Sequence, residues 1–287
     1  MFLDLNLKDI QPLLYISEEE IIAYKANYKK IFINLEDYLL NEQSVIHAEE
    51  IETKIFPNIK ADVFISHSHT DEKIAIKIAL GLEKIGLKVF IDSCVWGYAD
   101  ELLEKIDNKF CKPDGWTNYH YKLRNRTTSN VYIILNTALQ RMIDQSELML
   151  FLNSNNSVKI KDYIDLEKKE YLASPWIFSE LTFSQRVRRT PRQKISLNLE
   201  EAAIYDSIAM DNNAIQFIYP LPKLSKEIFF DEFLKWLHKD HFHFDGLDKK
   251  ITNDNILKKI NGLMALDNLY QLIGVEETLL EDKRYSM

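Results

Sequence analysis

Three short, nearly unbroken apolar runs stand out along the chain: Asp62–Ser66, Leu87–Ile91 and Glu147–Asn153. Runs of this length, rich in β-branched and aromatic residues, predict strands buried on both faces. Between the first two, Ile74, Ile78, Leu82 and Ile85 recur at helical spacing. Thr70 is placed to cap that helix, Asp71 and Glu72 fall in its first turn where carboxylates suit the helix dipole, and Gly86 stops it. Strand, helix and strand with short links make a βαβ unit over 61–92, so the two strands are expected to be parallel. In open parallel sheets, ligands bind beyond the carboxyl ends of the strands. Both strands end in polar residues there, Ser66-His67-Ser68-His69 and Asp92-Ser93.

The remaining pattern is mostly helical. Ser17 and Glu20 have capping-box spacing, and Ile21, Tyr24, Tyr28, Ile31, Leu35 and Tyr38 follow along one face, which reads residues 1–57 as a helical preface. A helix is expected from about Ala99 to Phe110, broken by Pro113, Asp114 and Gly115, and another over 131–144. Residues 154–173 read as a loop; Ser174 is a natural N-cap, with Pro175 at the first helical position. Ile195–Leu199 and Ala214–Tyr219 read as further strands. Ser225 starts a helix expected to bury Ile228, Phe229, Phe233 and Trp236, and Ile256, Ile260, Leu263 and Leu266 mark a last amphipathic helix.

Composition narrows the classes. Two cysteines are too few for a disulfide framework, which predicts a reducing, cytoplasmic setting. The opening Met-Phe-Leu-Asp-Leu-Asn has no basic n-region, so no signal peptide is expected, and no apolar run reaches membrane-spanning length. A net charge of -8 argues against a general nucleic-acid binder, though not against local basic patches. One such patch lies over 116–130, where Trp116, Tyr119, His120 and Tyr121 are interleaved with Lys122, Arg124 and Arg126. It reads either as a platform for a nucleotide or single strand or, as is commoner, as a surface insertion with buried rings.

The chemistry centres on Trp176 and Glu180, four residues apart near the start of one helix and so on one face. A flat ring beside a carboxylate suits a substrate with a planar base and a glycosidic bond. The ring stacks on the base, and the carboxylate stabilises the oxocarbenium-like centre formed on cleavage.

Asp-Val-Phe-Ile-Ser-His-Ser-His-Thr-Asp at 62–71, Gly-Leu-Lys-Val-Phe-Ile-Asp at 86–92 and Ser-Pro-Trp-Ile-Phe-Ser-Glu-Leu at 174–181 occur in that order. Together they resemble the Toll/interleukin-1 receptor (TIR) domain family, over roughly 58–238. The resemblance implies an α/β fold, a flavodoxin-like doubly wound parallel sheet of about five strands, with helical extensions at 1–57 and 239–287. It implies cleavage of NAD+ at the nicotinamide–ribose bond. The products would be nicotinamide and ADP-ribose or a cyclic or conjugated ADP-ribose signal, as in bacterial anti-phage defence, with a downstream effector sensing the product. NAD+ is then substrate, and no cofactor or metal is expected. Carried over by position, Glu180 is the catalytic acid and Trp176 the aromatic before it. Ser66 and His67 line the nucleotide pocket, and Asp92 and Trp96 open the BB loop through which such domains self-associate. The stretch 93–130 is longer than that loop and its helix require.

Two alternatives remain. Some TIR domains are scaffolds without activity. Separately, His67-x-His69-x-Asp71 resembles the opening of the metal-binding motif of metallo-β-lactamase-fold hydrolases, although Glu72 stands where that motif usually has His.

Overall fold

The computed structural model describes residues 1–11, 17–26, 61–91, 103–113, 115–161, 169–172, 174–189, 219–239 and 254–275. Their strands are β1 (Leu3–Lys8), β2 (Val63–Ser66), β3 (Val89–Ile91), β4 (Leu148–Leu152), β5 (Val158–Lys161), β6 (Lys169–Leu172), β7 (Tyr219–Pro220) and β8 (Lys226–Phe229). The helices are α1 (18–26), α2 (Glu72–Lys84), α3 (103–110), α4 (Tyr121–Gln145), α5 (Pro175–Arg186), α6 (Phe230–Leu237) and α7 (Asp254–Leu272). A five-stranded sheet in the order β3-β2-β4-β1-β8 carries only parallel pairings, and β5, β6 and β7 form a small antiparallel sheet.

Helices cover both faces, as a parallel sheet requires. On one face Leu5, Leu7, Val63, Ile65, Ile91 and Leu150 pack with Ala79 and Leu82 of α2, Phe233 and Trp236 of α6, and Leu266 and Tyr270 of α7. On the other face Phe64, Met149 and Phe151 pack with Leu135 and Leu139 of α4 and with Ile177 and Leu181 of α5. The βαβ unit and the buried strand at 148–152 are as expected. The Ser17–Glu20 capping box is formed in both directions, each at 3.1 Å to a backbone N–H.

The central difference from expectation lies at the amino end. Residues 1–57 read as a helical extension, but Leu3–Lys8 is a strand in the middle of the sheet, parallel to β4 and β8. Its alternation of Leu3, Leu5 and Leu7 with Asp4, Asn6 and Lys8 puts leucines on one face and polar side chains on the other. The sheet therefore needs a segment outside 58–238. Lys226–Phe229 is a strand rather than the start of a helix, because β1 offers it a parallel edge; α6 begins at Phe230, and Phe229 is 54% exposed rather than buried. The loop expected at 154–173 contains the β5–β6 hairpin, and α4 starts ten residues before the expected 131. Of the strand expected at 214–219 only Tyr219 is described, and it pairs with β6 of the small sheet. The strand expected at 195–199 lies outside the described residues, as do Tyr28 to Tyr38.

The carboxyl-terminal helix is integral too. Gly86 has φ +98 after α2, and a Cβ there would sit 1.8 Å from the Lys258 carbonyl oxygen of α7. A Cβ on Gly262 would likewise come within 2.8 Å of the Gly86 carbonyl carbon. Only glycines allow these backbones to touch. No helix among the described residues is long and apolar enough to cross a membrane.

Two predictions follow from this packing. With β1 central, its amides should exchange with solvent as slowly as those of Leu148–Leu152, and Leu5→Ala should cost about 2–5 kcal/mol in urea unfolding; fast exchange at 3–8 would remove the strand from the sheet. On α2, burial pushes the Glu83 carboxyl up to about 7, although the Tyr24 hydroxyl donates to it at 3.4 Å. A carboxyl raised above its unfolded value near 4.5 binds its proton more tightly in the folded state. Its contribution is complete below 4.5 and is lost as pH rises to 7, by at most about 3 kcal/mol. Glu83→Gln should flatten that decline and be more stable than the parent at pH 8.

Candidate active site at the carboxyl edge of the sheet

Helix α5 begins as its sequence suggests. The Ser174 hydroxyl accepts from the Ile177 N–H at 3.3 Å, and Pro175 occupies the first turn. Ile177, Glu180, Leu181 and Ser184 then form one buried stripe against the sheet, at the i, i+3, i+4, i+7 spacing of an inward-facing helix. A carboxylate in the middle of such a stripe is unusual, because burying a charge is costly unless it is hydrogen-bonded. Glu180 is 1% exposed, and its Oε2 accepts a hydrogen bond from the Ser66 hydroxyl at 2.7 Å. Ser66 is the last residue of β2, so the carboxylate lies at the carboxyl edge of the sheet.

At that edge the order in which successive strands are added switches from one side of β2 to the other. From β2 the chain passes through α2 to β3 on one side, and β4 then pairs with β2 on the other. Ligand crevices in open parallel sheets form at such switch points. The loops that follow β2 and β4 are tied together here. Asp71, 2% exposed, accepts from the Ser154 hydroxyl and from Asn156 Nδ2, the latter at 2.6 Å. The Ser154 hydroxyl in turn accepts the N–H groups of Asn156 and Ser157, and Ser157 Oγ donates to the Leu152 carbonyl at 2.7 Å. Asp71 occupies the N-cap position of α2, but its side chain ties the two loops together instead of capping the helix; a 3-10 turn, His69–Asp71, takes the place of the expected Thr70 cap.

One turn along α5 a second buried carboxylate answers the first. Asp4 of β1, wholly buried, accepts from Ser184 Oγ at 3.1 Å, Arg189 Nη2 at 2.8 Å and the Ser225 N–H at 2.8 Å. Asp4 was not among the expected site residues, and Asp71 was expected only as a ligand in the metal alternative. Their partners lie 180 and 83 residues away. The visible signal for Asp4 was a carboxylate inside an alternating apolar run.

Of the expected site residues, Glu180 and Ser66 are brought into contact, and His67 is buried beside them at 3% exposure. Trp176, four residues before Glu180, sets its ring against Tyr132 of α4, with centroids 5.1 Å apart. Asp92 and Trp96 lie outside the described residues. The metal alternative finds no convergent ligands: His67 is buried, His69 is exposed, and Asp71 is engaged by Ser154 and Asn156. Among the described residues no three His, Cys, Asp or Glu side chains gather closely enough to hold a metal ion. In comparison with known proteins, the chain matches no family model, no curated protein and no solved structure.

Proposed function

We propose that the chain is a TIR-like enzyme that cleaves the nicotinamide–ribose bond of NAD+, with Glu180 as its catalytic carboxylate. The observation that carries this reading is the buried Glu180 carboxylate hydrogen-bonded to Ser66 at the carboxyl edge of β2. The sheet order supports it: taken from β2 onward, β3-β2-β4-β1-β8 is the flavodoxin-like order 2-1-3-4-5, with the fourth place filled by the chain's first strand.

In the proposed reaction the C1′–N bond breaks, and its electron pair passes to the pyridinium nitrogen, releasing neutral nicotinamide. The ribosyl carbon becomes oxocarbenium-like, and water or another nucleophile then adds to it, giving ADP-ribose or a cyclic or conjugated product. Glu180 stabilises the developing positive charge. A unit charge pair at about 4 Å and an effective dielectric constant near 20 gains about 4 kcal/mol, or about three orders of magnitude in rate. Ser66 acts through Glu180 as a positioning residue, directing one oxygen away from the reacting carbon and fixing the other by geometry. Trp176 offers its half-buried ring at the first turn of the same helix, within one turn of Glu180. Self-association through the segment after β3 and a role in antiviral signalling belong to the same proposal.

Incubation of the protein with NAD+, with and without a crowding agent, should release nicotinamide, and mass spectrometry of the products separates hydrolysis from cyclisation. Glu180→Gln should lower turnover about a thousandfold with the thermal transition retained. Ser66→Ala should lower it less, about tenfold, through loss of one charge-assisted hydrogen bond. Wild-type turnover in Glu180→Gln would end the catalytic assignment. Intact NAD+ under every condition would leave the scaffold alternative.

A further inference from the structure

Helix α4 joins the core only from Val131 onward; every residue from Tyr121 to Arg126 is exposed. Ten residues of helix reach about 15 Å, so the first part of α4 and the chain before it form a projection. The projection is firmly built. Asp107, 1% exposed, accepts from Arg124 Nε and Thr127 Oγ1, each at 2.9 Å. The Tyr119 hydroxyl donates to Asn108 at 2.7 Å, and its ring receives Lys112 Nζ at 5.3 Å and Arg124 Cζ at 5.0 Å from the centroid. The His120 N–H donates to the Cys111 carbonyl at 2.7 Å, and His120 Nδ1 caps the helix.

On this base the large rings stand in solvent. Trp116 is 58% exposed and Tyr121 76%, and the Trp116 ring lies 6.4 Å from that of His120. Sequence reading favoured buried rings in this insertion, and the structure has the reverse. Around the rings Lys112, Lys122 and Arg126 are exposed, with Lys122 and Arg126 on one helix face. Residues 103–130 carry six Lys and Arg against three Asp and Glu, in a chain of net charge -8. A protein partner would favour a contiguous apolar centre with charges at the rim. Here cations and flat rings alternate, which suits a polyanion whose bases can stack.

We propose that this tip binds single-stranded nucleic acid, with Lys112, Lys122 and Arg126 on phosphates and Trp116 and Tyr121 under bases. The segment that carries the rings is tied down through Asp107, Tyr119 and His120, so less backbone ordering opposes binding. The proposal is independent of NAD+ cleavage. Fluorescence anisotropy of a labelled oligothymidylate with the full-length protein tests it. Saturable binding at low salt is expected, weakened about tenfold by Trp116→Ala and again by Tyr121→Ala. Lys122→Gln with Arg126→Gln should make the salt dependence shallower by about 0.7 in slope per charge removed. The same sequence as a duplex should bind more weakly, its bases being unavailable for stacking. No binding at low salt would overturn the proposal, as would ring variants that bind like the parent. So would charge variants that change self-association in sedimentation while oligonucleotide binding stays constant, since the tip would then serve a second copy of the chain.

Discussion

The sheet closes around its first strand. β1 lies between β4 and β8, and among the described residues β8 pairs with no other strand. Leu5 and Leu7 are completely buried on one face, while Asp4 is completely buried on the other. That split makes β1 both a core strand and a mooring for the helix above it. Ser184 of α5 donates to Asp4, and Glu180 of the same helix receives Ser66 of β2. Two hydroxyl–carboxylate contacts, of opposite polarity and one helical turn apart, therefore fix α5 across the sheet. Removing Arg189, itself partly exposed, would leave the wholly buried Asp4 carboxylate without its cation. The aim of Glu180 thus depends on a strand 170 or more positions earlier in the chain.

The two buried carboxylates under α5 have different surroundings. Asp4 is neutralised by Arg189 and further held by a backbone N–H, an arrangement that suits structure. Glu180 stands at the carboxyl edge, where its Oε2 accepts from the neutral Ser66 hydroxyl. Its position at a reversal of sheet order adds weight that burial by itself would lack.

What the sequence reveals follows from how local each signal is. The stretches 63–65, 89–91 and 148–152 are apolar throughout because their strands are covered on both faces, and such runs read as strands without knowledge of their partners. The Ser174–Pro175 start of α5 is equally local. β1 has a legible period-2 pattern, but it ends in Lys8, and its polar face is buried only because Arg189 and Ser184 reach it from far away in sequence. Lys226–Phe229 has no strand character of its own; it is extended because β1 presents a free edge. Glu180 and Ser66 were legible as a pair only through motif order, since 114 residues separate them. Asp71 was read as a helix-start residue because carboxylates favour that position, yet its hydrogen bonds go to the loop after β4.

The two edges of the sheet divide the work. At the amino edge Asp62 accepts the Lys88 N–H at 2.8 Å and lies 2.5 Å from Lys259 Nζ of α7. Asn261 of α7 donates to the Ile85 carbonyl, Tyr270 donates to Glu147, and Gly86 and Gly262 pack backbone to backbone. These contacts bind α7 to the starts of the strands. At the carboxyl edge the polar side chains instead gather around Ser66, Asp71 and Glu180, between loops that are braced but not covered by α7. A site needs supports more rigid than itself. Here one end of the sheet is closed by helix α7 and two glycines, and the other holds the buried Glu180 carboxylate against Ser66.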